Sequence, residues 1–381
     1  MMSDLVFTNA QVVTADTVFD GTVHVRDGRV DDVATGQSNL SSAIDLEGDY
    51  LLPGFVELHT DNLEKHFAPR PGVVWPPVPA ALAHDAQIAA AGITTVFDAL
   101  AVGDLNENSA RLRNLKNMSS ALAEAGERNL LRADHMIHLR CEVSHSKAVE
   151  IFDDYVDAAT VRLVSLMDHT PGQRQFTCMD TYKRYYQGKY GMTDDELARF
   201  VEVKRESQER YSAPHRATIV DRCRARDITM ASHDDATVEH VDEAIENGVT
   251  ISEFPTTVES ASKAHGAGLS VLMGAPNLVL GGSHSGNVSA MDLAQRKVLD
   301  ILSSDYVPSS MIQGVFMLWQ SGSKPTLPAA VATVSTTPAR AVGLDDRGEI
   351  AVGCRADLVR VSMADDTPTV VSVWRQGHRV I

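Results

Sequence analysis

The sequence predicts an α/β protein, a (β/α)8 TIM-type barrel with a small β-sandwich domain formed by both termini. Three observations support this prediction: apolar strand-like runs alternate with helical stretches in the middle of the chain, strand patterns occur at both ends, and 381 residues exceed what one small core needs. We therefore expect residues 1–52 and 346–381 to share the small β domain and residues 53–345 to form the barrel.

The two ends of the chain have the pattern of short strands joined by turns. DLVFTNAQVVTAD and GTVHVRDGRVDDVA alternate apolar and polar positions, and Asp27-Gly28 lies between two such runs as a hairpin signal. The pattern returns in GEIAVGCRADLVRVS and VVSVWRQGHRVI near the C-terminus. We expect these segments to pair with one another.

Eight apolar runs in the body of the chain are candidates for parallel barrel strands. Helical stretches follow them, as in β/α units, and eight such units suit a barrel. The candidate strands are residues 53–59, 93–99, 135–142, 161–168, 227–233, 249–254, 269–274 and 299–305. Periodicity alone leaves a doubly wound sheet open as the alternative.

The largest insertion in the predicted barrel spans residues 171–226. Thr193 and Glu196 have the spacing of a capping box, so we expect a helix to begin there. Just before it, TYKRYYQGKY places three basic residues among four tyrosines. This basic island is either a lid over an anionic ligand or a solvated helical hairpin.

Composition and charge narrow the functional classes. The formal charge of −17 argues against a nucleic-acid partner, since phosphate backbones attract positive surfaces. It does not exclude a small phosphorylated substrate, because bound metals and a few cations can reverse the field inside a pocket. The apolar runs are too short to span a membrane, and the N-terminus lacks a signal-peptide pattern, so we expect a cytoplasmic protein with no membrane partner. Whether the chain forms a homo-oligomer stays open.

Metal-ligating residue types recur at the ends of the predicted strands. In PGFVELHTDNLEKH, His59 and Asp61 are two residues apart and therefore face the same way at the C-terminal end of a strand. A lone histidine or aspartate there is usually structural. The recurrence of such residues at one end of successive strands instead favours a divalent-metal site, because barrel enzymes carry their chemistry on that face. The further candidates are Glu142, His169, His233, Glu253 and Asp305.

A glycine-rich loop follows the seventh candidate strand. In GGSHSGN, backbone amides and two serines could cradle phosphate oxygens, with His284 as a cation or proton donor. The alternative is a loop that serves only as a tight turn.

Several motifs together resemble one family. HTDNLEKHFAPRPGVVWP, AGITTVFDAL, MDHTPGQRQF, SHDDAT, EFPTT, GAPN, GGSHSGN and SSDYVP are similar to the PhnM family of phosphonate-utilisation hydrolases within the amidohydrolase superfamily. The resemblance covers nearly the whole chain in consistent order. It implies hydrolysis of the 5-triphosphate of ribose 1-methylphosphonate, with release of pyrophosphate, at a divalent-metal centre of one or two ions, usually zinc.

The resemblance also implies roles for particular residues. Asp305 and His233 are the candidate catalytic residues, with Asp305 as general base. The implied metal ligands are His59, Asp61, Glu142, His169, His233 and Asp305. The candidates for binding a phosphate-rich substrate are Lys65, His66, Arg70, Gln173, Arg174 and His284.

One departure from the family pattern keeps other functions open. The family has an arginine before GGSHSGN, whereas this chain has Leu280, which removes a bidentate phosphate ligand. The runner-up function is therefore an amidase or deaminase that attacks a C–N bond with the same activated water. A non-catalytic barrel acting as a subunit of a phosphonate-processing complex is the third hypothesis.

Overall fold

A computed structural model describes residues 4–70, 72–106, 109–174, 191–283 and 286–381. Strands from both ends of the chain form one sheet: β1 (Leu5–Val13), β2 (Val18–Arg26), β3 (Arg29–Thr35), β4 (Ile44–Asp45), β5 (Tyr50–Pro53), β14 (Leu358–Ala364), β15 (Thr367–Arg375) and β16 (His378–Arg379). β5 joins the two ends, because it pairs with β1 on one side and with β14 on the other. Asp27 and Gly28 both have positive φ, at 51° and 74°, and connect β2 to β3 as a hairpin, as predicted.

The predicted barrel is confirmed. Its strands are β6 (Phe55–Thr60), β7 (Ile93–Val102), β8 (Asp134–Glu142), β9 (Val161–Met167), β10 (Thr229–His233), β11 (Ile251–Glu253), β12 (Ser270–Gly274) and β13 (Ile301–Ser303). Each pairs in parallel with the next in chain order, and a parallel bridge between Thr60 and Asp305 brings the last strand back to the first. This closure excludes the doubly wound alternative, whose sheet would stay open.

Helices separate most of the barrel strands. They are α1 (Asn62–Phe67), α2 (Pro77–Ala90), α3 (Ala110–Glu127), α4 (Ala148–Asp153), α5 (Asp194–Arg224), α6 (Val238–Glu246), α7 (Val258–Gly266), α8 (Ala275–Val279), α9 (Ala290–Gln295), α10 (Ser310–Gln320), α11 (Leu327–Val331) and α12 (Thr336–Ala341), with a 3-10 turn at Ala332–Val334. The capping box at Thr193 and Glu196 is present and starts α5. Across the described residues, every helix is too short or too polar to cross a membrane. The basic island of residues 181–190 lies outside the described residues.

Alternation along the strands separates the apolar core from the polar face. On β8, Ile137, Leu139 and Cys141 pack outward in the core between sheet and helices. His138, Arg140 and Glu142 occupy the intervening positions and point into the barrel. The register of β8 therefore delivers a guanidinium and a carboxylate to the upper, C-terminal end of the barrel.

An ion-pair cluster fixes the C-terminal segment to the opposite end of the barrel. Asp134, the first residue of β8, accepts hydrogen bonds from Arg347 at 3.0 Å, Arg355 at 2.6 Å and Arg375 at 3.1 Å. Arg355 is buried, and the three guanidinium groups hold the pKa of Asp134 below its usual value although burial opposes this. Because several charges share one partly buried network, this cluster should stabilise more than a single surface pair.

A second charged network lies between the barrel wall and α2. His135 Nδ1 is 2.7 Å from Asp98 and its Nε2 is 3.3 Å from Asp85, while His84 Nε2 is 2.6 Å from the other oxygen of Asp98. Burial lowers the pKa of His135, but the two carboxylates outweigh it and raise this pKa from 6.5 to about 9. Both ring nitrogens donate to carboxylates, which requires the imidazolium form.

This network predicts a pH-dependent stability. Since the folded pKa of His135 is raised, its contribution is fully present below pH 6.5 and is lost as pH rises through about 9. A rise of this size corresponds to about 3 kcal/mol. We expect His135→Gln to be less stable than the wild type at pH 6 and to show a flatter stability profile between pH 6 and 10, measured by urea unfolding. Parallel profiles for the two proteins would contradict this account.

Candidate metal centre

His59 and Asp61 project from the end of the first barrel strand. The register between β6 and β7 shifts between Glu57 and Thr60, a bulge that re-aims the side chains beyond it. The buried Glu57 carboxylate accepts a hydrogen bond from the backbone N–H of His59 at 2.7 Å and also binds the backbone N–H of Ser304. His59 Nε2 lies 3.9 Å from Asp61 Oδ1, as expected for two residues on one face.

Strands β9 and β10 supply two more imidazoles and a carboxylate. His233 is the last residue of β10, Asp234 follows it, and His169 lies two residues beyond β9. The Nε2 atoms of His169 and His233 are 3.6 and 3.5 Å from Asp234 Oδ2. This oxygen is buried and forms no hydrogen bond to the described part of the chain. Two imidazole nitrogens and an oxygen left without a donor fit a divalent cation.

Carboxylates hold the other nitrogen of each imidazole. His169 Nδ1 is 2.7 Å from Glu142 Oε2, and the two oxygens of Glu253 take the Nδ1 atoms of His233 at 3.1 Å and His59 at 3.3 Å. Metal-ligating histidines typically have such a partner on the nitrogen away from the metal. Burial lowers the pKa of His169, but Asp234 and Glu142 outweigh this effect and raise the pKa to about 10. The electrostatic potential at this imidazole is therefore negative and favours a bound cation.

Asp61 is paired with two guanidinium groups. Arg140 Nη1 lies 2.7 and 2.9 Å from its two oxygens, and Arg111 Nη2 lies 3.3 Å away. Arg111 also donates to Glu64 at 2.7 Å. Burial alone would raise the pKa of Asp61, yet Arg140 and Arg111 hold it well below its usual value. Positive charge is therefore built in directly beside the imidazoles.

Asp305 is placed by the hydrogen bonds that close the barrel. Its backbone N–H donates to the His59 carbonyl at 3.1 Å, and its carbonyl accepts from the Asp61 N–H at 2.8 Å. Its φ of 52° lies in the left-handed region, which aspartate tolerates better than most residues. A side chain added to Gly274 would come within 3.6 Å of Asp305 Oδ2, so the carboxylate lies over the end of β12.

These groups share the wall of a cavity of about 690 Å³. All six residues predicted as metal ligands line it, together with Lys65, Arg111 and Arg140. The volume is ordinary for a small-molecule site. The six predicted ligands thus come from five barrel strands and meet in one cavity at the C-terminal face.

Comparisons with known proteins agree with this arrangement. The family model described as "Amidohydrolase family" matches residues 80–381. The chain belongs to the amidohydrolase family. Alpha-D-ribose 1-methylphosphonate 5-triphosphate diphosphatase of Escherichia coli (strain K12) is 48% identical to this amidohydrolase over 377 residues, which cover 99% of this chain and 100% of the relative. The relationship predicted from the motifs is therefore confirmed.

Solved amidohydrolase structures share the fold at low identity. N-acetylglucosamine-6-phosphate deacetylase from Pasteurella multocida has a TM-score of 0.65 at 14% identity and covers 99% of each chain. The D267A mutant of the Mycobacterium smegmatis N-acetyl-D-glucosamine-6-phosphate deacetylase has a TM-score of 0.65 at 17% identity and covers 100% of each chain. 5-Methylcytosine deaminase from Klebsiella pneumoniae has a TM-score of 0.65 at 14% identity and covers 99% of this chain and 98% of its own.

The predicted substrate-binding residues of this amidohydrolase divide into two groups. Lys65 lines the cavity. His66 instead bonds Gln87 at 3.0 Å, and Arg70 is exposed in a bridge with Val73. Arg174 is buried against Asp235 and donates to Glu243 at 2.6 Å.

None of these three residues is on the cavity wall, and neither is Gln173. Arg174 pairs with two carboxylates, as Arg111 does, but it lies off the cavity wall and is not placed to contact a ligand there. His284 lies outside the described residues.

Sequence reasoning missed Arg111 as a site residue of this amidohydrolase and underrated Asp234, Glu253 and Arg140. Asp234 and Glu253 stand at strand ends like the chosen ligands, and Arg140 shares the face of Glu142, so strand position carried a usable signal. Arg111 is the second residue of α3, and the sequence around it contains no motif that would mark it as a site residue. Its role depends on Asp61 and Glu64, which are distant in sequence.

The proposed metal centre predicts that replacing one of its histidines weakens metal binding. We expect metal-replete wild-type protein to hold at least one divalent ion per chain and His233→Asn to bind it more than about 100-fold more weakly, because outer partners alone are worth roughly 10–100-fold. Metal content and zinc competition titration measure this. His265→Asn is the matched control, since His265 lies on α7 outside the cavity wall. Equal metal content in all three proteins would refute the assignment.

Proposed function

We propose that this amidohydrolase hydrolyses a phosphoanhydride bond of ribose 1-methylphosphonate 5-triphosphate and releases pyrophosphate in phosphonate catabolism. The full-length relationship to the Escherichia coli diphosphatase supports this proposal. The observation that carries it in the structure is the pairing of an imidazole–carboxylate cluster with three cationic side chains in one cavity. In this proposal the partner is a small phosphorylated molecule, the reaction is cytoplasmic, and no nucleic acid takes part.

The proposed cofactor is zinc, as one or two ions held by His59, Asp61, Glu142, His169, His233 and Asp305. A bound divalent ion supplies hydroxide near neutral pH by lowering the pKa of its water toward roughly 7. Asp234 joins this set because its unpaired oxygen faces two Nε2 atoms. Glu142 contacts His169 through Nδ1 at 2.7 Å and so also orients this imidazole.

Asp305 is proposed as the general base. Its carboxylate lies on the cavity wall, and the hydrogen bonds with His59 and Asp61 fix its backbone beside the metal-binding residues. In the reaction it would accept the proton of the attacking water, while the bond between phosphorus and the bridging oxygen breaks and pyrophosphate leaves. A carboxylate suits this role because its oxygens can accept a proton from a positioned water.

Arg111, Arg140 and Lys65 are proposed to bind the phosphate oxygens and to stabilise the negative charge that develops on them. Arg111 is 39% exposed and faces an entering ligand, whereas Arg140 is 9% exposed and lies deeper. Leu280, next to the glycine-rich loop, also lines the cavity and is 70% exposed. Because it is a leucine, this part of the cavity wall has no guanidinium where the family pattern has an arginine. Phosphate recognition would therefore come from α1, α3 and β8.

Attack on a C–N bond is not favoured. The deacetylase and deaminase structures share the fold, but identities of 14–17% carry no substrate information. The three cations on the cavity wall can offset the negative charge of a triphosphate, whereas an amide or amine leaving group carries no such charge. The metal-binding residues also argue against a non-catalytic scaffold, since the ligand types are present at the ends of five strands.

Loss of the proposed base predicts a large fall in rate. We expect Asp305→Asn to lower kcat for pyrophosphate release by about 100-fold or more, the usual contribution of general-base catalysis. Metal content is measured alongside, and Asp345→Asn at the surface is the control. Unchanged kcat in Asp305→Asn, or the absence of pyrophosphate release by the metal-loaded wild type, would overturn the assignment.

Removal of Arg111 predicts a binding defect. We expect Arg111→Met to raise KM for the sugar triphosphate about 10-fold, equivalent to about 1.4 kcal/mol, near the lower limit for a hydrogen bond to a charged group. Steady-state kinetics separate this from an effect on kcat. Arg113→Met, two residues along the same helix and off the cavity wall, is the matched control. An equal change of KM in both variants would contradict the role of Arg111.

A further inference from the structure

Glu253 occupies a central position behind the metal-binding imidazoles. It is the last residue of β11 and is fully buried. Its Oε1 lies 3.3 Å from His59 Nδ1 and its Oε2 lies 3.1 Å from His233 Nδ1, although these histidines come from strands on different sides of the barrel. One carboxylate thus contacts two imidazoles through their inner nitrogens.

This contact dictates the tautomer of both rings. An ionised carboxylate only accepts hydrogen bonds, so each Nδ1 must carry hydrogen, and each Nε2 of a neutral ring is then left with a bare lone pair. The Nε2 atoms are the ones that approach Asp61 and Asp234 in the cavity. A bare Nε2 is what a divalent ion needs.

Hydrogen bonds on the side away from the cavity also fix the Glu253 carboxylate. The Ser165 hydroxyl donates to Glu253 Oε2 at 2.6 Å and also contacts His138 Nε2. His138 Nδ1 donates to the Leu58 carbonyl at 2.9 Å. This chain ties the carboxylate to the backbone of β6, so Glu253 has little freedom to turn toward the cavity and ligate a metal itself.

Phe254 constrains the same two imidazoles from a second direction. Its ring centroid lies 4.9 Å from His59 and 5.4 Å from His233, with interplanar angles of 89° and 81°. Its φ of 51° is in the left-handed region, which is a genuine outlier for a bulky residue. Strain of this kind persists where the surrounding structure demands it, and it is often found at functional sites.

We infer that Glu253 and Phe254 are a positioning pair that holds His59 and His233 in one tautomer and one orientation for metal binding. Glu253 fixes which nitrogen carries hydrogen, and Phe254 fixes the tilt of the rings. This inference rests on the metal centre in the proposed function, but it concerns two residues that are neither proposed metal ligands nor proposed phosphate-binding residues.

The test compares Glu253→Gln with the wild type. A glutamine presents an amide N–H₂ to one of the two Nδ1–H groups, so one imidazole must move its hydrogen to Nε2 or turn away. We expect spectra of ¹⁵N-histidine-labelled, metal-free protein to show an Nε2–H tautomer for His59 or His233 in the variant and Nδ1–H for both in the wild type. Zinc affinity, measured by competition with a chromophoric chelator, should fall by about 10–100-fold.

Asp134→Asn is the control for general destabilisation, because it weakens a buried ion cluster at the other end of the barrel. We expect it to lower the unfolding temperature while leaving the tautomers and zinc affinity unchanged. Phe254→Gly is the second variant, since glycine adopts the observed φ without strain. It should keep the fold and still bind zinc more weakly, and it decides the matter if Glu253→Gln does not fold.

Unchanged tautomers and unchanged zinc affinity in the folded variants would overturn the inference. Loss of a full zinc equivalent with both tautomers unchanged would overturn it too, because Glu253 would then be a ligand. These measurements need no substrate. A wild type that releases no pyrophosphate, combined with the expected tautomer change, would therefore refute the proposed function and leave the inference standing.

Discussion

Closure of the barrel between its last and first strands is the constraint on which the site depends. The bridge between Thr60 and Asp305 is made by backbone hydrogen bonds in which Asp305 pairs with His59 and Asp61. The same bonds that remove the open edges of the sheet therefore also set the spacing of three candidate ligands. The candidate metal site therefore depends on the strand register, since a slip of one residue would turn these side chains to the other face of the sheet.

Charge balance is the second constraint, because a divalent-metal site gathers carboxylates that would repel one another in a dry interior. The chain has a formal charge of −17, yet Arg140 and Arg111 neutralise Asp61, and the imidazoles of His59 and His233 share Glu253. Asp61 and Glu253 thus each have partners that offset the desolvation of their carboxylates. In the proposed function the same guanidinium groups also bind phosphate oxygens, so one arrangement would serve both stability and recognition.

Local pattern was sufficient for the strands, the Thr193 capping box and the strand-end residues, because each depends on a few neighbouring positions and a fixed period. It was not sufficient for Arg111 or Arg174. Both are arginines near the predicted site, but Arg111 meets Asp61 across 50 residues, and Arg174 meets Asp235 across 61. Only the three-dimensional structure decides that Arg111 lines the cavity while Arg174 pairs with Asp235 and Glu243 away from the cavity wall. The positions of the two arginines in the sequence do not show which of them lines the cavity.

Backbone conformation at the strand ends explains why so many side chains reach one cavity. Asp234, Phe254 and Asp305 follow β10, β11 and β13 closely and have φ values of 58°, 51° and 52°. A left-handed residue turns the chain sharply as it leaves the barrel, which lets side chains before and after the turn face the same space. Aspartate adopts this conformation at moderate cost, whereas phenylalanine does not. The exception at Phe254 coincides with the ring that packs on two imidazoles, so the strain is concentrated where the geometry of the metal centre needs it.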